Sequence, residues 1–169
     1  MNVLIIRHAV AEDREDFKKS GMTDDLRPLT VEGRKKMRRA AEGLRRVIET
    51  IDLVAASPFV RAIETAHVVA KAFDKVPIVE LKALEPGGKP EQIFKFLAQQ
   101  AKQTIVLVGH EPDLGRFVCL SIGCKIADRV PLKKGGACLI SFSGPVASGA
   151  GALCLLLSPG VMRKLARKV

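Results

Sequence analysis

At 169 residues the chain can make one domain that buries roughly two thirds of the surface its unfolded form exposes, so neither a structural metal nor a disulfide is needed to hold it together. Lys and Arg outnumber Asp and Glu by 28 to 18, a formal charge of +10 that draws phosphate esters, acidic proteins or polyanions without choosing among them. The absence of Trp and Tyr argues against the stacking platforms that read single-stranded nucleic acid, and no apolar run approaches the length of a membrane span.

The expectation is a single domain over residues 1–169 with a cytoplasmic home, because Met1-Asn2-Val3-Leu4-Ile5-Ile6 has no basic lead-in and reaches Arg7 too soon for a signal-peptide core. Leu4-Ile5-Ile6-Arg7-His8-Ala9 reads as a buried strand that stops at Arg-His, with both side chains emerging where a central sheet ends. Open α/β sheets keep their active sites there. A guanidinium pairs with phosphate through two parallel hydrogen bonds, and a neutral imidazole beside it can attack phosphorus. Read by itself, the hexapeptide is equally a strand capped by two solvated side chains.

From Val10 to Arg27 the chain carries Glu12, Asp13, Arg14, Glu15, Asp16, Lys18 and Lys19, too charged and aperiodic for core, and is expected to form a loop with room for one helical turn. Thr30 caps a helix whose inner face is Gly33, Met37, Ala40, Leu44, Val47 and Ile51, while Arg34, Lys35, Arg38, Arg39, Arg45 and Arg46 make a basic outer face suited to solvent. Asp52 to Ala56 is a second strand. Ser57-Pro58 then starts a helix to about Phe73 that buries Phe59, Ile63, Ala66, Ala70 and Phe73. That places Arg61 in a first turn, where the helix dipole disfavours a cation, and the misfit suggests an anion between them.

A third strand follows at Pro77 to Leu81, a turn at Pro86-Gly87-Gly88, and a helix opened by Pro90 with Ile93, Phe94 and Leu97 inside. Thr104 to Gly109 is a fourth strand and delivers His110 at its carboxyl end; Pro112 seeds a helix through Leu114, Phe117, Val118 and Ser121. Alternating strands and helices predict an α/β fold with a mostly parallel central sheet and helices on both faces. Ala137 to Phe142 and Ala152 to Leu157, joined by a Gly/Ser-rich stretch, predict a hairpin that adds an antiparallel edge, and Val161 to Val169 a short basic helix. Cys119, Cys124, Cys138 and Cys154 show no CxxC pair and no zinc-like spacing with the histidines, so they read as small buried thiols.

Three separate stretches thus bring Arg7, His8, Arg61 and His110 to strand ends or helix starts on one side of the sheet. The residues that do so, with Arg27-Pro28-Leu29-Thr30-x-x-Gly33, Ser57-Pro58-x-x-Arg61-Ala62-x-x-Thr65-Ala66 and Val108-Gly109-His110-Glu111-Pro112, resemble the histidine phosphatase superfamily with its phosphoglycerate mutase-like three-layer sandwich. The compact length, Arg-His-Ala and Arg-Pro-Leu-Thr resemble its SixA-type phosphohistidine phosphatases. The resemblance implies that His8 attacks phosphorus to give a phosphohistidine intermediate which water opens, that Arg7, Arg61 and His110 surround the phosphoryl oxygens, and that no metal or other cofactor is required.

It also points to Glu85, just past the third strand, as the place where many members keep a general acid, although a solvated loop glutamate fits as well and SixA-type enzymes often lack that acid. Glu12 and Glu111 are weaker candidates. Arg27 either lines the phosphate pocket or ties the loop to the helix, and His67 reads as structural. The implied substrate is a phosphohistidine in a phosphorylated protein, since little chain is left to build a lid over a small molecule. The alternatives are a small phosphate ester, a sugar-phosphate mutase reaction, and a non-catalytic polyanion-binding module; neither a nucleic acid nor a membrane is expected as partner.

Overall fold

The apolar runs form strands, the central ones buried on both faces because in an α/β sheet each face is covered by helices, and the two edge strands largely exposed. In the computed structural model, which describes residues 1–124 and 130–166, they are β1 (Asn2–Arg7), β2 (Leu53–Ala56), β3 (Ile78–Glu80), β4 (Thr104–Gly109), β5 (Ala137–Ser141) and β6 (Ala152–Leu157). One six-stranded sheet runs in the order β3-β2-β4-β1-β5-β6. β3, β2, β4 and β1 are parallel, β5 lies antiparallel to β1, and β6 antiparallel to β5, which gives the antiparallel edge expected of the hairpin.

The helices are α1 (Arg14–Lys18), α2 (Val31–Leu44), α3 (Val60–Ala72), α4 (Pro90–Ala98), α5 (Asp113–Ser121) and α6 (Pro159–Leu165). Strand pleating sorts the core into two halves. Leu4, Ile6, Val54, Ala56, Val106 and Val108 face α2, α3 and α6, with Met37, Leu44, Ala66 and Met162. Val3, Ile5, Leu53, Ala55, Ile105 and Leu107 face α4 and α5, with Ile93, Leu97, Leu114 and Phe117. Each fully buried Leu, Ile or Val contributes about 1.5–3 kcal/mol of transfer free energy. The result is the three-layer α/β sandwich, and no helix among the described residues is long and apolar enough to cross a membrane.

The connection leaving β1 climbs through α2 on one face, while the one leaving β4 enters α5 on the other. Adjacent parallel strands whose connections part to opposite faces leave a crevice at their carboxyl ends, and ligands of open α/β sheets bind in such crevices.

Several local expectations need correction. α2 stops at Leu44, so Val47 is exposed, although Ile51 still packs in the core. The charged segment from Val10 to Arg27 does contribute buried groups, namely Ala11, Phe17 and Arg27. Ser57 does not cap a helix: α3 begins at Val60 after Phe59, which makes no side-chain cap, and Phe59 is only half-buried. Its serine is drawn away by a different partner, described below. Cys119, Cys138 and Cys154 are free thiols, but Cys154 is exposed on the edge strand β6, and Cys124 is half-buried. The basic tail is helical over Pro159–Leu165, and residues 167–169 of the expected helix lie outside the described residues.

Candidate active site

The parallel register fixes the centre of the site. Arg7 is paired with Gly109, and the next backbone N–H, that of His8, donates to the Gly109 carbonyl at 3.0 Å. His8 and His110 therefore leave the sheet side by side, their ring centroids 5.1 Å apart and their planes tilted by 53°. His8 Nδ1 lies 2.7 Å from the Ala9 carbonyl oxygen. A carbonyl oxygen only accepts, so Nδ1 carries the proton and Nε2 keeps its lone pair.

The backbone after His8 is held on both sides. Ala9 N–H donates to Thr65 Oγ1 at 3.0 Å, and the Thr65 hydroxyl donates to the Arg61 carbonyl at 2.7 Å, tying the turn after β1 to the start of α3. The Val10 carbonyl accepts from Thr30 N–H at 3.1 Å. Gly33 allows this approach, since a Cβ there would run into that carbonyl oxygen. Thr30 caps α2 as expected, its Oγ1 accepting from Gly33 N–H at 2.9 Å.

Arg61 is 1 % exposed in the first turn of α3, with its guanidinium over the Phe59 ring at 4.9 Å. Its Nη1 donates to the Asp24 carbonyl at 2.7 Å and its Nη2 to Asp24 Oδ2 at 3.0 Å. Asp24 also takes Arg27 Nε on Oδ1 at 2.9 Å and pairs with Arg14 at 3.3 Å, so one carboxylate gathers three guanidinium groups. Burial alone would raise the Asp24 carboxyl, but the Arg27 hydrogen bond and the charges of Arg61, Arg27 and Arg14 outweigh it and hold the group below its ordinary range. Arg7 donates from Nη1 to the Leu132 carbonyl at 2.9 Å.

A cavity of about 500 Å³ opens at these strand ends, with Arg7, His8, Arg61 and His110 in its wall and Arg14, Arg27 and Lys134 around them. Among the described residues, three buried side-chain polar atoms have no protein partner: Arg7 Nε, Arg61 Nε and His110 Nδ1. All three belong to residues of this one wall. A buried polar atom left unpaired costs roughly 1–3 kcal/mol, so three of them on residues of one wall suit a site that takes a hydrogen-bonding ligand.

Both imidazoles are neutral near pH 7. Burial pushes His8 down to about 4, assisted by the charges of Arg61, Arg7 and Lys134 and opposed by its bond to the Ala9 carbonyl. Burial likewise pushes His110 down to about 3, with His8, Arg61 and Arg7 adding to the shift and Asp24 opposing it. A neutral ring with a free Nε2 lone pair is a nucleophile; a neutral ring beside it can be a donor.

The remaining sequence candidates fall elsewhere. Glu85 is half-buried and outside the cavity wall, to which its neighbour Pro86 contributes. Glu12 is exposed at the rim. Glu111 reaches the wall, but its oxygens are taken by Leu132 N–H at 2.7 Å and Gly115 N–H at 3.3 Å, so it clamps the segment whose Leu132 carbonyl receives Arg7. Arg27 both lines the cavity and ties the loop, donating to the Glu12 carbonyl at 2.7 Å. His67 is exposed on α3 in a larger, shallow groove of about 650 Å³ that contains none of the strand-end residues.

A family model described as histidine phosphatase superfamily (branch 1) matches residues 3–86. The phosphohistidine phosphatase SixA homolog of Haemophilus influenzae is 31 % identical over 131 residues, covering 70 % of this chain and 75 % of that one. The chain belongs to the histidine phosphatase superfamily, and to its SixA type. The solved protein histidine phosphatase SixA complexed with tungstate superposes with a TM-score of 0.78 at 24 % identity, over 95 % of this chain and 98 % of that one. The alpha-ribazole phosphatase of Shigella flexneri gives 0.71 at 18 % identity, over 94 % and 97 %. Membership makes this chain a phosphatase whose chemistry runs through a histidine, while the spread of substrates among chains of one fold leaves its own substrate to the site.

Asp24, Thr65 and Lys134 were not singled out by sequence reasoning. Asp24 sits among other acids in a charged loop and had no signal of its own; Thr65 was present only as a letter of the Arg61 motif.

Proposed function

We propose that the enzyme removes the phosphoryl group from phosphohistidine in a protein, by way of a phosphohistidine on His8. The observation that carries this reading is that three unpartnered buried polar atoms, Arg7 Nε, Arg61 Nε and His110 Nδ1, belong to residues of the same wall as His8, whose Nδ1 is held by a carbonyl so that Nε2 is free. His8 Nε2 forms a bond to phosphorus as the bond from phosphorus to the substrate's ring nitrogen breaks, and that nitrogen takes up a proton from solvent water. Water then attacks the phosphoenzyme, releasing inorganic phosphate and returning neutral His8. Arg7 and Arg61 balance the charge on the transferring group, and His110 donates to one of its oxygens.

A phosphohistidine substrate suits a site whose wall carboxylates are the exposed Glu12 and Asp13 and Glu111, whose oxygens accept from the Leu132 and Gly115 N–H groups. The leaving imidazole has a pKa of about 6.5 and accepts a proton readily, whereas an alkoxide needs a positioned acid. The fold's likeness to an alpha-ribazole phosphatase keeps small phosphomonoesters as the second reading. The test is a panel of phosphohistidine protein, phosphoserine, phosphoglycerate and sugar phosphates under one set of conditions. Higher kcat/KM on the phosphohistidine protein supports the proposal; preference by orders of magnitude for a sugar phosphate or another ester ends it.

A further inference from the structure

Ser57 is fully buried and, among the described residues, its hydroxyl has two partners. One is the backbone N–H of Phe59 at 3.3 Å, which can only donate. The other is His110 Nε2 at 2.9 Å. The oxygen accepts from Phe59, so the hydroxyl's own proton has one acceptor within reach, the ring nitrogen. A nitrogen that accepts is unprotonated, and a neutral imidazole then carries its proton on Nδ1.

The geometry points to Ser57 as the residue that sets His110 in the Nδ1–H tautomer and so makes it a hydrogen-bond donor toward phosphoryl oxygens in the cavity. This is a positioning role: Ser57 acts through His110. The opposite tautomer is worse at both ends, since it leaves the serine proton without an acceptor and turns the Nδ1 lone pair toward an anion. Ring orientation is fixed as well, because the Phe59 ring stands edge-on to His110 at 5.1 Å between centroids.

The charged and titratable neighbours of His110 are His8, Arg61 and Arg7, with Asp24 beyond Arg61. Their net charge resists a second proton on the ring, so its capacity to donate rests on the tautomer rather than on protonation. His8 is fixed in the complementary sense, held at Nδ1 with Nε2 free.

The effect on rate rests on the phosphatase reading above; the tautomer itself does not, and it is measured in the free enzyme. The chain has three histidines, so a long-range proton–nitrogen spectrum of ring-labelled protein near neutral pH is assignable with His67→Gln and His110→Gln. The expected result is a protonated Nδ1 and an unprotonated Nε2 for His110. In Ser57→Ala the Nε2–H form should grow in and kcat should fall about tenfold, the loss of roughly one hydrogen bond, with KM little changed. Ser57→Thr, which restores the hydroxyl, should recover the spectrum and most of kcat. A wild-type His110 protonated on Nε2 overturns the assignment, and so does a Ser57→Ala enzyme that keeps the Nδ1–H signal, whether or not kcat falls. Should Ser57→Ala not fold, the wild-type spectrum decides. Failure of the wild-type enzyme on every phosphate compound would count against the phosphatase reading alone.

Discussion

β1 and β4 end alike and are finished differently. Each carries four consecutive apolar residues, Val3 to Ile6 and Ile105 to Val108, closes on Arg7 or Gly109 and then releases a histidine, and the in-register pairing sets the two rings side by side. Their holders differ: His8 is gripped at Nδ1 by the next carbonyl in its own chain, His110 at Nε2 by a serine from the loop after β2. In the proposed mechanism one ring therefore offers a lone pair to phosphorus and the other a donor to its oxygens. The sheet supplies position, and a single hydrogen bond to each ring supplies chemistry.

The sharpest way to break this comparison is to remove each ring in turn. His8→Gln should lower turnover by on the order of 10⁴-fold or more and abolish acid-labile phosphate on the enzyme, because no other group at that position can form the N–P bond. His110→Gln should cost about 10²–10³-fold, the usual loss for one preorganised donor, while still forming a phosphoenzyme. Rapid-quench labelling with radioactive substrate distinguishes the two. A phosphoenzyme that survives loss of His8 and vanishes with His110 would reverse the assignment.

pH tests the same pair more gently. With His8 at about 4, kcat/KM corrected for substrate ionisation should be flat through neutrality and drop tenfold per unit only below that value, well under the ordinary 6.5. Stability should move in the same direction. The unfolded ring, at 6.5, binds more protons than the folded one, so the stability tied to keeping His8 neutral is full above that pH and is lost progressively as pH falls to about 4. His110 adds a loss of the same sign that extends to about 3. Tm measured from pH 7 to 4 should fall less steeply in His8→Gln than in the wild type, since one of these rings no longer has to be held neutral. Parallel Tm curves would mean that His8 is not buried as the structure has it.

The comparison also shows where a sequence stops being readable. Strand ends were legible because a run such as Thr104 to Gly109 can only be buried, and a polar residue at its close must emerge. The placement of Arg61 was legible from its misfit in a first helical turn. Ser57 was not, because Ser-Pro is a good helix start on local grounds; the hydroxyl instead serves a histidine 53 positions away, and a tertiary partner overrides a cap. Asp24 was hidden for a related reason. Its value lies in touching Arg14, Arg27 and Arg61 at once, and only Arg14 and Arg27 are near it in the chain.

The smallest expected effect concerns Glu85, which the family resemblance offers as an acid and the structure leaves outside the cavity wall. Its loop is braced rather than free: Gly87 N–H donates to Asp113 Oδ2 at 2.9 Å, and Gly88 N–H to the Glu85 carbonyl at 2.9 Å. Glu85→Gln should therefore change kcat/KM on phosphohistidine by less than about twofold, since the departing imidazole needs no positioned acid. Phosphoserine makes the harsher substrate for this variant, because its leaving alkoxide does need one. A general acid contributes about 10²–10⁴-fold, so a loss of that size on phosphoserine would mean that the loop brings Glu85 over the bound substrate despite its bracing. Equal, small changes on both substrates would leave the two strand-end histidines and the two arginines as the whole of the chemistry.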